Sequence, residues 1–268
     1  KVKNGTDVYA LSGVNITVRE NEFICVVGPS GCGKTTMLNI IAGLESYDKG
    51  EVTIRGQAVI GPGPDRAVIF QQYALFPWMT VIKNIEFAMK FLHHDVEYDA
   101  VDKKTGLAVK KTKSVKYTKA EKEEIARHYI KLVDLQGFEK SYPSALSGGM
   151  KQRVAIARSY VTNADVLLMD EPFGAVDAQT RAQLQEDLLR TWATEQKTCF
   201  FITHDVEEAA LLATKVIVMS ARPGRVKKVI DINLPYPRTQ ATKLEPEFIK
   251  FKNEIWSEVY QEYLEVRK

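Results

Sequence analysis

Eight residues near the amino terminus carry the most specific chemistry in this chain. Gly28-Pro29-Ser30-Gly31-Cys32-Gly33-Lys34-Thr35 places glycine at the first and sixth positions, then a lysine, then a hydroxyl. A glycine-rich backbone can curl until successive N–H groups point at phosphate oxygens. Lys34 would set a full positive charge against β- and γ-phosphates, and Thr35 would offer a hydroxyl to Mg²⁺. Thr36 joins the same phosphate-binding set. A helix opening after Lys34 would turn its positive dipole end toward the same anion. The pattern has meaning only between a buried strand and a helix. Phe23-Ile24-Cys25-Val26-Val27 is a continuous apolar run ending in glycine, the mark of a strand buried on both faces. Thr35 to Leu44 carries Met37, Leu38, Ile40 and Ile41 at helical spacing and stops at Gly43. Outside that context the same residues would be an ordinary glycine turn.

A second set is acidic. Val166-Leu167-Leu168-Met169-Asp170-Glu171 is four apolar residues followed by two acids. A buried parallel strand delivers its last residues to the carboxyl edge of the sheet, where ligands bind. Asp170 then suits Mg²⁺, reached through water. Glu171 could polarise a water that attacks the γ-phosphate. Apolar strands often end in a solvated Asp-Glu pair, so the weight of this motif comes from the phosphate loop. Gln71, after the short strand Val68-Ile69-Phe70, offers an amide to Mg²⁺ or to the water. His204, after the strand Cys199 to Thr203, offers a hydrogen bond to the γ-phosphate. Either one alone is an ordinary polar loop residue. Ser147-Gly148-Gly149 reads as a Ser N-cap with two glycines opening a helix, hence another anion site.

The elements that position these groups follow from periodicity. Asn15 to Gly28 reads as a strand pair, and Glu51 to Ile60 alternates like one strand before the Gly61-Pro62-Gly63-Pro64 turn cluster. Helical patterns follow over Val81 to Leu92, Lys119 to Val133 and Gly148 to Val161. Between the first two lies His93 to Thr118, polar and Lys-rich, with a turn signal at Asp102-Lys103-Lys104-Thr105-Gly106. It reads as a loop or hairpin insertion. From Val166 onward strands and helices alternate: Val166 to Met169, Thr180 to Thr194, Cys199 to Thr203, Glu207 to Thr214, Lys215 to Met219. That alternation predicts a parallel α/β sheet with a helical segment inserted into it. The expected bounds are 1–79 and 162–240 for the α/β core, 80–161 for the helical segment with its insertion at 93–118, and 241–268 for a final helix. In that helix Phe248, Ile249, Ile255, Trp256, Val259, Tyr263 and Leu264 fall at helical spacing, and the Trp256 stripe is expected to pack on the core.

Composition limits the alternatives. The 268 residues are 45% hydrophobic, ample for a large core, and 37 basic against 34 acidic residues leave a net charge of +3. That balance argues against a nucleic-acid partner, which needs a concentrated basic surface. Cys25, Cys32 and Cys199 are widely spaced and odd in number, which suggests a reducing compartment rather than a disulfide framework. No apolar run approaches the ~20 residues needed to span a bilayer, and no signal-peptide pattern is present. The chain opens at Lys1 rather than Met, which leads us to expect further residues before it.

One more segment decides among nucleotide-binding chains. Leu146-Ser147-Gly148-Gly149-Met150 is followed by Lys151-Gln152-Arg153-Val154-Ala155-Ile156-Ala157-Arg158 and comes shortly before the Asp170 strand. With these motifs in this order the chain resembles the ATP-binding cassette ATPases, the motor subunits of ABC transporters. The resemblance covers nearly the whole chain. It implies a P-loop NTPase parallel-sheet core, a small antiparallel β subdomain and an inserted α-helical subdomain. It implies ATP and Mg²⁺ as ligands. Gln71 then matches the Q-loop, Glu171 the catalytic glutamate, His204 the switch histidine, and Asp177, in Gly174-Ala175-Val176-Asp177, the D-loop. Ser147, Gly148 and Gly149 would serve the ATP held by a second copy, so the active form would be a homodimer. Met150 stands where the family usually has Gln, adjacent to backbone contacts that should survive the change. Tyr9 is the candidate for stacking on adenine.

Three segments, Pro172 to Arg181, Ser220 to Arg225 and Leu234-Pro235-Tyr236-Pro237-Arg238, resemble the nitrate/sulfonate/taurine/bicarbonate group of bacterial importers. Pyrimidine-precursor importers look similar. The resemblance implies a peripheral subunit on the cytoplasmic face of the cell membrane, bound to integral permease subunits near Gln71 and Phe76-Pro77-Trp78. A periplasmic or extracellular substrate-binding protein would act indirectly. Trp78 could equally pack on its own domain. The 93–118 insertion either tunes the fit to the permease or is a solvated loop; charged runs are usually the latter. An ATP-gated regulator or scaffold of the same fold is the alternative, and a soluble kinase is a third option that leaves Ser147 and His204 without a role.

Overall fold

A computed structural model describes residues 2–3, 6–7, 9–101 and 108–267. The turn signal at 102–106 lies outside them. In chain order the elements are β1 (Val2–Lys3), β2 (Thr6–Asp7), β3 (Phe23–Val27), α1 (Lys34–Ala42), β4 (Thr53–Ile54), β5 (Gln57–Ala58), β6 (Arg66–Ile69) and α2 (Val81–Ala88). Then come β7 (His93–Val101), β8 (Ala108–Lys116), α3 (Lys119–Leu132), α4 (Gly148–Tyr160), β9 (Val166–Asp170) and α5 (Ala178–Glu195). The chain closes with β10 (Thr198–Ile202), α6 (Val206–Leu212), β11 (Lys215–Ser220), β12 (Arg225–Asp231) and α7 (Pro246–Arg267). Two compact units result, one of residues 1–74 with 163–268 and one of 75–162.

The first unit is built on a six-stranded sheet of order β12-β11-β3-β10-β9-β6. Neighbours from β11 to β6 are parallel, and β12 adds antiparallel to the edge. The apolar runs explain the middle: every residue of β3 and β10 is buried, as a sheet covered on both faces requires. α1 contributes Met37, Leu38 and Ala42 to the core alongside Ile24, Val26, Leu168, Phe200, Ile202 and Ile217. Phe23 meets Trp192 of α5 edge-on at 5.7 Å and Phe201 at 5.9 Å.

Several expectations need correction. Glu51 to Ile60 is not one strand but a tight hairpin, with Thr53 paired to Ala58 and Ile54 to Gln57. Arg55 and Gly56 have φ of 50° and 76°, the left-handed pair that a two-residue hairpin turn demands. The expected strand pair over Asn15 to Gly28 is the single strand β3, because 13–19 carry no strand hydrogen bonding. β12 was not anticipated: Lys227 and Lys228 in its middle obscure the apolar signal. The two lysines reach across to α7, where Lys227 pairs with Glu258 and Glu262 and Lys228 with Glu254 and Glu258 at 3.0–3.3 Å. α7 packs through Phe248 and Ile255, both fully buried, while Trp256 is 54% exposed. The Trp256 stripe therefore faces outward, with Trp256 stacked on Tyr260 at 4.7 Å. A helix has room for one buried stripe, and Phe248 with Ile255 fill it.

Arg238, from the segment Leu234 to Arg238, is 2% exposed. Its guanidinium donates to the carbonyls of Ala210, Leu211 and Ala213 at the end of α6 and to those of Ile232 and Leu234. It thus satisfies helix-end carbonyls that would otherwise be orphaned.

In the second unit α2, α3 and α4 pack on Val81, Ile85, Ala126, Ile130, Val154 and Ala157. Asn84, fully buried, accepts the Phe76 N–H at 2.8 Å and donates to the carbonyls of Phe76, Met79 and Thr80. That pins the Phe76–Thr80 turn, from which Trp78 projects 69% exposed. The 93–118 insertion is a hairpin: β7 and β8 pair antiparallel from His93 with Lys116 to Val101 with Ala108. α3 opens on a capping box, the Thr118 hydroxyl accepting the Glu121 N–H and the Glu121 carboxylate accepting that of Thr118.

Candidate active site

Four adjacent parallel strands run in the order β3, β10, β9, β6, so their carboxyl ends share one edge. Neighbouring strands lie about 4.8 Å apart, so the four ends span roughly 15 Å. Each end delivers part of the expected set. Gly28 to Lys34 leaves β3, Thr203 and His204 follow β10, Asp170 ends β9 with Glu171 next, and Gln71 lies two residues past β6.

The phosphate loop runs from Gly28 through Pro29, Ser30, Gly31, Cys32 and Gly33 into α1, with Thr35 and Thr36 in the first turn. Gly33 caps α1 without any side-chain hydrogen bond, so no side chain occupies the anion-seeking end of the helix. Lys34 is 8% exposed, and its ammonium donates to the carbonyls of Gly28 at 2.8 Å and Pro29 at 3.2 Å. The lysine thereby clamps the loop in its curl. Cys32 is buried, and burial raises its thiol pKa, with the Lys34 charge pulling the other way.

The loop has a support that sequence reasoning missed. Gly224 bonds backbone to backbone with Ala10 and Ser12. A Cβ there would come within 2.0 Å of the Cys32 carbonyl and 3.0 Å of Leu11. Only glycine lets that strand-connecting turn press against the back of the phosphate loop. The signal was present in Arg222-Pro223-Gly224, a turn tripeptide, but nothing local says what it abuts.

Thr35 and Asp170 are brought together, the Thr35 hydroxyl donating to Asp170 Oδ1 at 3.3 Å. Burial pushes the Asp170 carboxyl above its ordinary range, opposed by the Thr35 hydrogen bond, with Glu171 pushing further up and Lys34 pulling down. A hydroxyl and a carboxylate side by side form an oxygen-only donor set, which fits a hard cation that keeps several waters. Among the described residues no group of three or more His, Cys, Asp and Glu could hold a metal ion.

Glu171 and His204 also meet, with Glu171 Oε2 3.2 Å from His204 Nδ1. Glu171 has φ of 44°, uncommon for a residue with a Cβ. The turn is held by its neighbours: Glu171 N–H donates to Ile202 and its carbonyl accepts Gly174 N–H, at 3.0 and 3.1 Å. Phe173, 1% exposed, anchors it against Phe201 at 5.7 Å. The Gln71 amide borders the same turn, since a Cβ on Gly174 would lie 3.4 Å from its Nε2. Asp177 caps α5, accepting the N–H of Gln179 and Thr180 at 3.1 and 3.0 Å. Tyr9 is 58% exposed, with its ring open to solvent.

In the second unit Ser147 caps α4 as expected. Its hydroxyl accepts the Met150 N–H at 3.3 Å, and Gly148 and Gly149 form the first turn. Met150 takes part in the cap through its backbone N–H.

Comparison with known proteins agrees with this geometry. Residues 11–174 match the family model described as ABC transporter. The nitrate import ATP-binding protein NrtD of Synechocystis is 44% identical over 256 residues, covering 93% of this chain and 88% of its own. The aliphatic sulfonates import ATP-binding protein SsuB of Bacillus cereus is 43% identical, covering 90% and 86%. Among solved structures, a dimeric post-hydrolysis ATP-binding cassette bound to ADP and Pi superposes with a TM-score of 0.67 at 30% identity, over 87% of this chain and 96% of that one. On these matches, and on a sheet edge that collects the phosphate loop and the acids, the chain belongs to the ABC transporter family as an ATP-hydrolysing, ATP-binding subunit.

Proposed function

We propose that this chain is the ATPase motor of a membrane importer for a small anion or organic solute such as nitrate, a sulfonate, taurine or bicarbonate. The observation that carries the motor reading is the Glu171–His204 contact beside the Thr35–Asp170 pair and the lysine-clamped loop. The import reading is supported by the relatives named for nitrate and aliphatic sulfonates.

In this reading ATP lies against the loop. Gly28 to Thr36 supply backbone N–H groups and the helix dipole, and Lys34 turns from its loop carbonyls to the terminal phosphates. Thr35, Asp170 and Gln71 would hold Mg²⁺, which would supply positive charge against the phosphate oxygens. Glu171 orients and polarises the attacking water. His204 holds the Glu171 carboxylate in place and donates toward the γ-phosphate. Tyr9 stacks on the base. Ser147, Gly148 and Gly149 of a second copy close the site, giving a homodimer coupled through Asp177. The turn pinned by Asn84, with Trp78 exposed at its tip, docks on permease subunits at the cytoplasmic face of the membrane. No helix among the described residues is long and apolar enough to cross a membrane. A substrate-binding protein on the far side selects the cargo.

The test is sedimentation of Glu171→Gln with ATP. A stable ATP-dependent dimer is expected, and a monomer at saturating ATP would contradict the shared site. Co-purification with multi-span membrane subunits separates a transporter motor from an ATP-gated regulator of the same fold.

A further inference from the structure

The ribbon of β7 and β8 takes no part in the reaction described above, and its charges are sorted by strand. β7 carries Asp95, Glu97 and Asp99 and no lysine or arginine. β8 carries Lys110, Lys111, Lys113 and Lys116 and no acid. The register sets the strands side by side, with Asp99 opposite Lys110 and Glu97 opposite Thr112. The sign of the charge therefore changes across the width of the ribbon. Asp95, Glu97, Asp99, Lys110, Lys113 and Lys116 are all exposed. Among the described residues no strand pairs with the outer side of β8, and exposed Lys119 continues the basic run into α3. Aromatic rings lie among the lysines. Tyr98 is 41% exposed, with Lys113 Nζ 5.3 Å from its ring centre. Phe91, just before β7, is 72% exposed, with Lys90 Nζ at 5.2 Å.

Stability does not account for this arrangement. The cross-strand pair of Lys110 and Glu97, 3.4 Å apart with both side chains mostly exposed, is of a kind worth little. A free strand edge needs charge to deter pairing with other chains, but charge of either sign on either strand would do that. Separation by strand instead leaves a line of positive charge along one long edge, with the acids behind it. At about 3.4 Å per residue the nine residues of β8 make that edge about 30 Å long. A straight charged edge fits a flat surface of opposite sign, which it can meet along its whole length. Near an anionic bilayer each lysine strengthens binding about fivefold, and exposed rings beside cations suit the headgroup layer. The chain belongs to a transporter family, so a membrane is the negative plane at hand.

We propose that the β8 edge of the ribbon rests on anionic phospholipid headgroups through Lys110, Lys113 and Lys116, with the acidic strand turned away. The inference rests on the reading that the chain works at a membrane beside permease subunits, and it adds a direct contact with lipid to that contact with protein. The ribbon supplies no group to the phosphate loop or to the acids at the sheet edge. The lipid contact therefore orients the subunit on the surface and leaves hydrolysis alone.

The experiment measures binding of the full chain, without permease, to sedimented vesicles of phosphatidylcholine alone and of phosphatidylcholine mixed with phosphatidylglycerol. The wild type should prefer the mixed vesicles and be released from them by salt, which screens surface charge. The variant with Lys110→Ala, Lys113→Ala and Lys116→Ala together should bind them about 100-fold more weakly. Its ATPase rate should stay at the wild-type value, which shows that it is folded. The variant with Asp95→Asn, Glu97→Gln and Asp99→Asn should bind more tightly than wild type. No preference for the mixed vesicles, or undiminished binding by the triple lysine variant, overturns the inference. Binding to duplex DNA as tight as to the mixed vesicles overturns the assignment to lipid. Co-purification with permease subunits in any of these cases leaves the membrane reading standing, and its failure overturns the reading beneath.

Discussion

The carboxyl edge of the parallel sheet and the His93–Lys116 ribbon are both β-structure built from opposite materials. In β3 and β10 every side chain is buried and each strand is paired on both sides. In the ribbon every described side chain is exposed or half-buried. Its contacts are of the kind that water competes for: Lys110 with Glu97 at 3.4 Å, Lys113 over the Tyr98 ring at 5.3 Å, His94 stacked on Tyr117 at 4.3 Å. The first region is packed on both faces, and each of these strands is hydrogen-bonded to a neighbour on either side, so no strand can shift without breaking that packing. It can therefore hold Lys34, Asp170, Glu171 and His204 in fixed relation. Exposed pairs like those of the ribbon are each worth little. Rigidity at the site is thus inherited from buried strands, and the ribbon is free to vary.

The widest gap between the two regions is expected from Lys34→Ala. Losing a charged donor to the phosphates should weaken ATP binding by about 100-fold or more, read by nucleotide titration, with the circular dichroism spectrum unchanged. Retained affinity would break the comparison at its strongest point.

Arg238→Ala comes next. Removing one guanidinium orphans carbonyls of Ala210, Leu211, Ala213, Ile232 and Leu234 in a buried setting. A loss of about 3 kcal/mol in urea unfolding is expected, and Arg238→Lys should recover only part of it because the planar fork is lost.

Asp170→Asn should act in the opposite direction on stability. Burial lifts the folded-state pKa of this carboxyl above its unfolded value, so its ionised form strains the fold and protonation relieves it. The sign follows: at neutral pH the ATP-free variant should melt at a higher temperature than wild type. The gap should shrink as pH falls through the folded pKa. Activity should be lost, since the cation loses its carboxylate. A lower melting temperature at neutral pH would contradict the assigned cause.

The smallest effect belongs to the ribbon. Lys110→Ala should change stability by less than about 0.5 kcal/mol and leave the ATPase rate unaltered, measured on the same preparation.

Most of the candidate site was legible in the sequence, because its residues sit at the ends of apolar runs. Val27 to Gly28, Met169 to Asp170 and Ile202 to His204 each mark the point where a buried strand gives way to a loop at the carboxyl edge. The segments that misled had weak or divided signals. Glu51 to Ile60 alternates as one strand, yet Arg55-Gly56 folds it on itself. β12 hides behind two lysines whose partners are 26 or more residues downstream. Trp256 shares a period with Phe248 and Ile255, and spacing alone does not say which residues the core will take. Gly224 supports the phosphate loop by tertiary contact, and no local pattern records such a contact.

In the proposed mechanism hydrolysis turns on Glu171 acting on water, at an edge that would bind ATP without it. Phosphate release and ATP binding measured together on Glu171→Gln test this directly. The expected result is turnover reduced about 10³-fold with ATP affinity intact. Turnover near the wild-type rate would contradict that role of Glu171.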